Sequence, residues 1–350
     1  MRIPLFKSYM APSAAVKVAW LLWRSNQGTL LGEGPQVKAF EQEFAEMFGF
    51  KHVSAVNSGS TALELAYELA EITEGDEVIV PVLTHPASGL PALHRKAQVV
   101  FADIEKDLNI SVDDVRKRIT PKTKALVFVH FGGNNRGLRE MVALAQEKNL
   151  FLIEDAAQAV GSEYWGKSDF TCVSLQAIKT LTTGDGGLII CKDQKLHEKG
   201  KRLRWFGYDR DAKQKLGDTD LVEAGYKYHM NDITATIGRA NLRSIQKIIA
   251  HRKKLAEEYK KNGVEASIWF AHVLSPQREE LIDFLKGKGI HSGDYHYRND
   301  KYTIFGGKKP LPTMDALETQ YLILPLHHGV SVKDVRYICS LVREFAGFTK

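Results

Sequence analysis

The sequence predicts an open, doubly wound α/β fold, with a mostly parallel sheet covered by helices and a smaller α+β unit behind it. Three observations predict this. Short apolar runs rich in β-branched residues recur at 77–81 (EVIVP), 97–104 (AQVVFADI), 125–130 (ALVFVH), 150–155 (LFLIED), 170–175 (FTCVSL) and 187–191 (GLIIC). Amphipathic helical segments lie between them, and beyond residue 240 the texture changes to charged helical stretches and an irregular tail. Strands buried on both faces read as continuous apolar runs, whereas a half-exposed sheet would alternate.

Each element has its own signal. In STALELAYELAEITEG, Ala62, Leu65, Ala66 and Leu69 fall on one helical face, and Gly75 is placed to stop the helix. RGLREMVALAQEKN repeats the pattern ahead of LFLIED. The run LRSIQKIIAHRKKLAEEYKKNG (242–263) predicts a long connecting helix, and QREELIDFLKGKG and SVKDVRYICSLVREF predict two more. At 350 residues the chain exceeds what one growing core sustains, so a large domain over 1–240 and a small one over 241–350 are expected. There is no internal repeat and no low-complexity segment.

Composition narrows the function classes. With 44% hydrophobic and 26% charged residues this is an ordinary globular chain. The net charge of +6 comes from 48 basic residues interleaved with 42 acidic ones, which suits phosphorylated small molecules better than a nucleic-acid track. Cys172, Cys191 and Cys339 have no paired spacing and read as buried reduced thiols. The opening MRIPLFKSYM has no signal-peptide pattern and no apolar run approaches a bilayer's thickness, so a cytoplasmic protein without membrane partners is expected.

Ligands of open parallel sheets bind outside the carboxyl ends of the strands, and three features lie there. NSGST (57–61) precedes a helix: Gly59 permits close backbone approach, Ser60 and Thr61 add hydroxyls, and the helix start offers free N–H groups to an anion. Taken alone, its plainer reading is a helix cap by Ser58 or Ser60. Asp155 ends LFLIED and, if buried, calls for a cationic partner, unless backbone donors satisfy it. Lys179 follows FTCVSL; desolvation there would make its amine nucleophilic toward an aldehyde, the alternative being a lysine that snorkels to water. The glycine-rich TTGDGG (182–187) fits a plain turn. Walker-type and strand-linked G-x-G-x-x-G signatures are absent. Taken together, a phosphate cradle, a strand-end Asp and a lysine two dozen residues later make up what pyridoxal phosphate requires. No metal is expected.

The chain resembles the DegT-type nucleotide-sugar aminotransferases, fold-type-I enzymes that use pyridoxal phosphate. The resemblance runs nearly end to end, through IPLFKSYM, GEGPQVKAFEQEFAEMFG, NSGSTALELAY, GDEVIVPVLTHPAS, ITPKTKALVFVHFGG, IEDAAQAVGSEYWGK, SLQAIKTLTTGDGG, GYKYHMNDITATIG and LPLHHGVSVKDV. It implies Lys179 as the Schiff-base and proton-shuttling lysine and Asp155 as partner of the pyridine nitrogen. It places Gln158 near the phenolic oxygen, and Gly59, Ser60 and Ser174 at the phosphate. His85 stands where the family usually carries a ring-stacking aromatic, and imidazole can stack as well. Lys227, in GYKYHM, replaces an asparagine that reaches the phosphate from the partner subunit; a lysine serves an anion there as a point charge. The segment between Gly161 and Ser174 is shorter than the family's. The implied reaction is transfer of an amino group from L-glutamate to a nucleotide-linked keto-sugar, a 4-keto-6-deoxy hexose first and a 3-keto isomer second, in a homodimer with shared sites. His296, Tyr297 and Arg298 are candidates for contacting the sugar or diphosphate, or form a surface turn. A dehydratase on the same cofactor is the alternative chemistry, and the retained Lys179 argues against it. A non-catalytic cofactor-binding regulator is a third reading.

Overall fold

The computed structural model describes residues 2–27, 31–217, 220, 221 and 223–348. A seven-stranded sheet forms its centre, in the order β1-β8-β7-β6-β5-β2-β4. The strands are β1 (Val53–Val56), β2 (Glu77–Pro81), β4 (Gln98–Ala102), β5 (Thr123–Val129), β6 (Phe151–Asp155), β7 (Phe170–Ser174) and β8 (Gly187–Cys191). All six apolar runs are strands, and the two flanking faces are covered by separate apolar clusters. β7, β6, β5, β2 and β4 are parallel, whereas β8 runs antiparallel to β7 and β1. The reversal follows from the link between β7 and β8, which returns directly without a crossover helix. β1 was not foreseen, because four residues are too few to show a pattern.

Helices α1 (Pro12–Ser25), α2 (Pro35–Phe48), α3 (Gly59–Leu69), α4 (Leu90–His94), α5 (Val112–Arg118) and α6 (Leu138–Lys148) surround the sheet. They are joined by α7 (Gln194–Leu203), α8 (Arg210–Leu216) and α9 (Asp232–Leu242). α3 buries Ala62, Leu65, Ala66 and Leu69, but it stops at Leu69, with Glu71 in the left-handed region. Gly75, at φ +90°, serves a later turn into β2 and does not cap the helix. The expected long connecting helix begins later than its sequence run: α9 ends at Leu242, and α10 (Ile245–Lys261) starts after Ser244.

The tail forms a three-stranded antiparallel sheet of β12 (Tyr321–Leu324), β10 (Ala271–Leu274) and β9 (Glu265–Ala266), with α11 (Arg278–Gly287), α12 (Pro312–Leu317) and α13 (Val332–Phe348). A third apolar cluster joins Leu255, Ala271, Leu285, Leu322 and Ile338 with Ile3 from the other end of the chain. One short pairing carries the tail back beside the main sheet: β11 (Tyr297–Arg298) lies antiparallel on β3 (Leu83–Thr84), which follows β2, and the two form a sheet of their own.

At the end of β6, successive side chains point to opposite faces of the sheet. Glu154, fully buried, accepts from Gly166 N (2.9 Å), Lys167 N (2.6 Å) and Ser168 N (2.9 Å) and meets His130 Nε2 at 2.8 Å. These bonds clamp the short loop into β7, and Gly166 is required there by a positive φ and by Phe50, 2.4 Å from where a Cβ would sit. Burial alone would push the Glu154 carboxyl up; the His130 bond and charge and the backbone donors outweigh it and hold the carboxyl below its ordinary range. Its contribution to stability is therefore complete above about pH 4.3 and is lost as pH falls further. Glu154→Gln should destabilise the fold by about 2–4 kcal/mol, read as a lower urea midpoint at pH 7. An unchanged midpoint would refute the clamp.

Candidate active site

The carboxyl ends of β1, β2, β5, β6 and β7 and the start of antiparallel β8 face one side of the sheet, so the loops leaving them converge. Between them lies a cavity of about 350 Å³ lined by Gly59, Ser60, His85, Asp155, Gln158, Ser174, Lys179 and His296 among others. Eight of the residues singled out from the sequence are thus brought together from five separate stretches of chain.

Asp155 is buried, and its carboxylate is oriented from two sides. Oδ2 accepts from Ser88 Oγ at 2.7 Å, Ser88 Oγ in turn lies 2.8 Å from Thr84 Oγ1, and Oδ1 accepts from Ala157 N at 3.1 Å. Oxygens held in this way keep lone pairs for a cationic donor from the cavity. Lys179 lies in the β7–β8 link, with Nζ 4.5 Å from the ring centroid of the buried Trp269. Burial lowers its amine to about 8, against the pull of the Asp155 charge. Part of the amine is therefore uncharged near neutral pH.

On the opposite wall, α3 begins with a capping box: Ser58 Oγ accepts from Thr61 N, and Thr61 Oγ1 accepts from Ser58 N, both at 3.1 Å. Ser58, not Ser60, is the cap. The Gly59 and Ser60 N–H groups at the first turn have no intrahelical acceptor, and with the Ser174 hydroxyl they form an anion cradle. Gly59 is required by contact, since a Cβ there would lie 2.7 Å from Ser174 Cβ. His85 Nδ1 accepts from Ala87 N at 3.2 Å, which leaves the proton on Nε2. Burial lowers the pKa of His85, Lys179 adds to this, and Asp155 opposes it, so the ring is neutral. Gln158 Oε1 accepts from Gly132 N at 2.6 Å.

Three expected contacts fall elsewhere. Thr61 spends its hydroxyl on the cap and on Asn57 Oδ1, and it does not line the cavity. Arg298 is buried away from the cavity, its guanidinium paired with both oxygens of Asp300 at 2.7 Å and with Asp315 and Glu318. A side chain so fully engaged is structural. Tyr297, its neighbour on β11, is half exposed and also off the cavity wall. Lys227 is exposed outside its own chain's cavity, its carbonyl accepting from Asn57 Nδ2 at 3.2 Å. Ser88, Trp269 and Tyr295 are the participants that sequence reasoning missed. Ser88 sits inside the quoted LTHPAS, but no spacing marks it as the partner of an aspartate 67 residues away.

These residues fit pyridoxal phosphate: backbone N–H groups and a serine hydroxyl for the phosphate, an oriented buried carboxylate for the ring nitrogen, and a desolvated lysine for the aldehyde. The comparisons agree with that fit. A 335-residue match at 32% identity, covering 89% of this chain and 91% of the relative, is to GDP-perosamine synthase of Escherichia coli O157:H7. The dTDP-4-dehydro-2,3,6-trideoxy-D-glucose 4-aminotransferase of Saccharopolyspora spinosa is 29% identical over 340 residues, 88% of each chain. The sugar aminotransferase CalS13 from Micromonospora echinospora superimposes with a TM-score of 0.91 at 26% identity, over 98% of this chain and 99% of that one. The model of the DegT/DnrJ/EryC1/StrS aminotransferase family matches residues 17–343, and the chain belongs to that family of fold-type-I aminotransferases, with pyridoxal phosphate as its cofactor.

Proposed function

We propose that this aminotransferase takes its amino group from L-glutamate and delivers it to C4 of a 4-keto-6-deoxy hexose carried on a nucleoside diphosphate. The observation that carries this reading is the convergence of Lys179, Asp155 and the Gly59–Ser60–Ser174 cradle on one cavity. Support for C4 comes from the relative named as a 4-aminotransferase of a 4-dehydro sugar. Glutamate and the nucleotide-linked acceptor follow the resemblance of the sequence. On this reading the site works in the cytoplasm, where nucleotide sugars are made.

Pyridoxal phosphate supplies an aldehyde that takes up the amino group and a protonated ring that draws electrons from the bonds around it. The chain's own residues do the rest. Asp155, oriented by Ser88 and Ala157, would pair with the protonated ring nitrogen. The Gly59 and Ser60 N–H groups and the Ser174 hydroxyl would bind the phosphate, and the His85 imidazole would be the ring-stacking side chain. Lys179 would accept a proton from the carbon bearing the amino group and return it to the cofactor's former aldehyde carbon, on the far side of the nitrogen, a role suited to an amine that titrates near neutral pH.

A homodimer completes the reading, with Lys227 of one protomer reaching the phosphate in the other. Supporting it, α1 exposes Val16, Trp20 and Trp23 along one stripe, a face large enough to call for a cover. Trp20→Glu with Trp23→Glu should convert a dimer to monomers in sedimentation velocity; a variant that stays dimeric removes α1 from the interface.

Two further outcomes are expected. In cofactor-free protein, trinitrophenylation of Lys179, followed by peptide mass spectrometry, should rise with pH around a midpoint near 8, and Lys179→Ala should lose borohydride-fixable pyridoxal phosphate. A midpoint near the ordinary lysine value would contradict the buried amine. Offered a panel of 3-keto and 4-keto sugar nucleotides with glutamate, the enzyme should turn over the 4-keto compounds at least about 100-fold faster in kcat/KM, roughly 3 kcal/mol of discrimination. Preference for a 3-keto sugar would reassign the position, and no turnover with any of them would sink the substrate class.

A further inference from the structure

A hydrogen-bonded chain links the tail to the cavity wall. Gly132 N–H donates to Gln158 Oε1 at 2.6 Å, and Gln158 Nε2 lies 3.2 Å from His296 Nε2. The first contact fixes the carboxamide, because a backbone N–H can only donate. The second then fixes the imidazole: facing an amide N–H, His296 Nε2 must be the unprotonated nitrogen, with its proton on Nδ1. Burial pushes His296 well below its ordinary range, and the charge of Lys179 pushes the same way, so the neutral ring is the resident form.

His296 is held where a free side chain would not settle. Its φ is +65°, the left-handed region. Tyr321 Oη donates to its carbonyl at 2.5 Å, and its ring packs 4.0 Å from Tyr295 and 5.5 Å from His85, centroid to centroid. The residue that follows is Tyr297, already paired with Thr84. Backbone pairing, carbonyl and ring thus all aim one nitrogen at Gln158.

We propose that His296 is a positioning residue that, as a neutral acceptor, locks the Gln158 carboxamide so that a single Nε2–H remains directed to the cavity. Without the lock the carboxamide is held by the Gly132 N–H alone and can swing about that bond, carrying its remaining N–H off line from an acceptor oxygen of the bound molecule. The proposal rests on the assignment of this cavity to pyridoxal phosphate, whose phenolic oxygen is such an acceptor. It gives His296 a role through Gln158 in place of the direct sugar contact expected from the sequence.

The test is pyridoxal phosphate affinity of the cofactor-free protein, read from quenching of tryptophan fluorescence, for His296→Leu, His296→Gln, Gln158→Leu and the double variant H296L/Q158L. His296→Leu should raise Kd about tenfold, as loss of one hydrogen bond to the cofactor would. His296→Gln, which carries an acceptor oxygen at similar reach, should recover most of that loss. The double variant should be no weaker than Gln158→Leu alone, because both changes disable the same donor. If His296→Leu fails to fold, judged by far-UV circular dichroism, His296→Gly adopts φ +65° without strain and carries the same expectations. Additive losses, an unchanged Kd for His296→Leu, or no recovery in His296→Gln would overturn the lock while leaving the cavity assignment intact. Wild type that does not bind pyridoxal phosphate would overturn the cavity assignment and the lock with it.

Discussion

The site depends on how two adjacent carboxylates at the end of β6 are divided between the faces of the sheet. Glu154 and Asp155 are both buried, at large electrostatic cost, and the pleat sends them in opposite directions. Glu154 spends its oxygens on three backbone N–H groups and His130, fixing the loop that delivers β7. Asp155 spends part of its capacity on Ser88 and Ala157 and keeps the rest for the cavity. One carboxylate secures the scaffold so that the other can be offered to a ligand.

From that division the rest of the geometry follows. β7 is held beside β6 with Cys172 level with Asp155, so Ser174 extends two residues beyond it and packs against Gly59 closely enough to exclude a Cβ. The β7–β8 link then has room to turn Lys179 back over Trp269, where burial depresses its amine.

Much of this was legible because the residues concerned have no cheaper explanation. A strand buried on both faces must be apolar throughout, so six of the seven strands of the main sheet announced themselves. A lysine beside a buried strand and an aspartate at a strand's end are costly, and costly residues mark sites. Where several cheap readings competed, the sequence misled. Arg298 and Tyr297 looked like ligand contacts because they are basic and aromatic in an irregular tail, yet Arg298 is consumed by Asp300, Asp315 and Glu318. Gly75 looked like a helix stop, but the helix had already ended at Leu69.

By itself the sequence determined the chemistry: which side chains bear an amine, a carboxylate or a phosphate cradle, and the strand ends near which they lie, because local pattern encodes strands and their termini. Only the tertiary structure decided which of them meet. Ser88 finds Asp155 across 67 residues, and His296 reaches Gln158 across 138, because β11 pairs with β3. A two-residue pairing between distant segments has no periodicity to read. Its register is set by side chains packed around it, which a linear pattern does not contain.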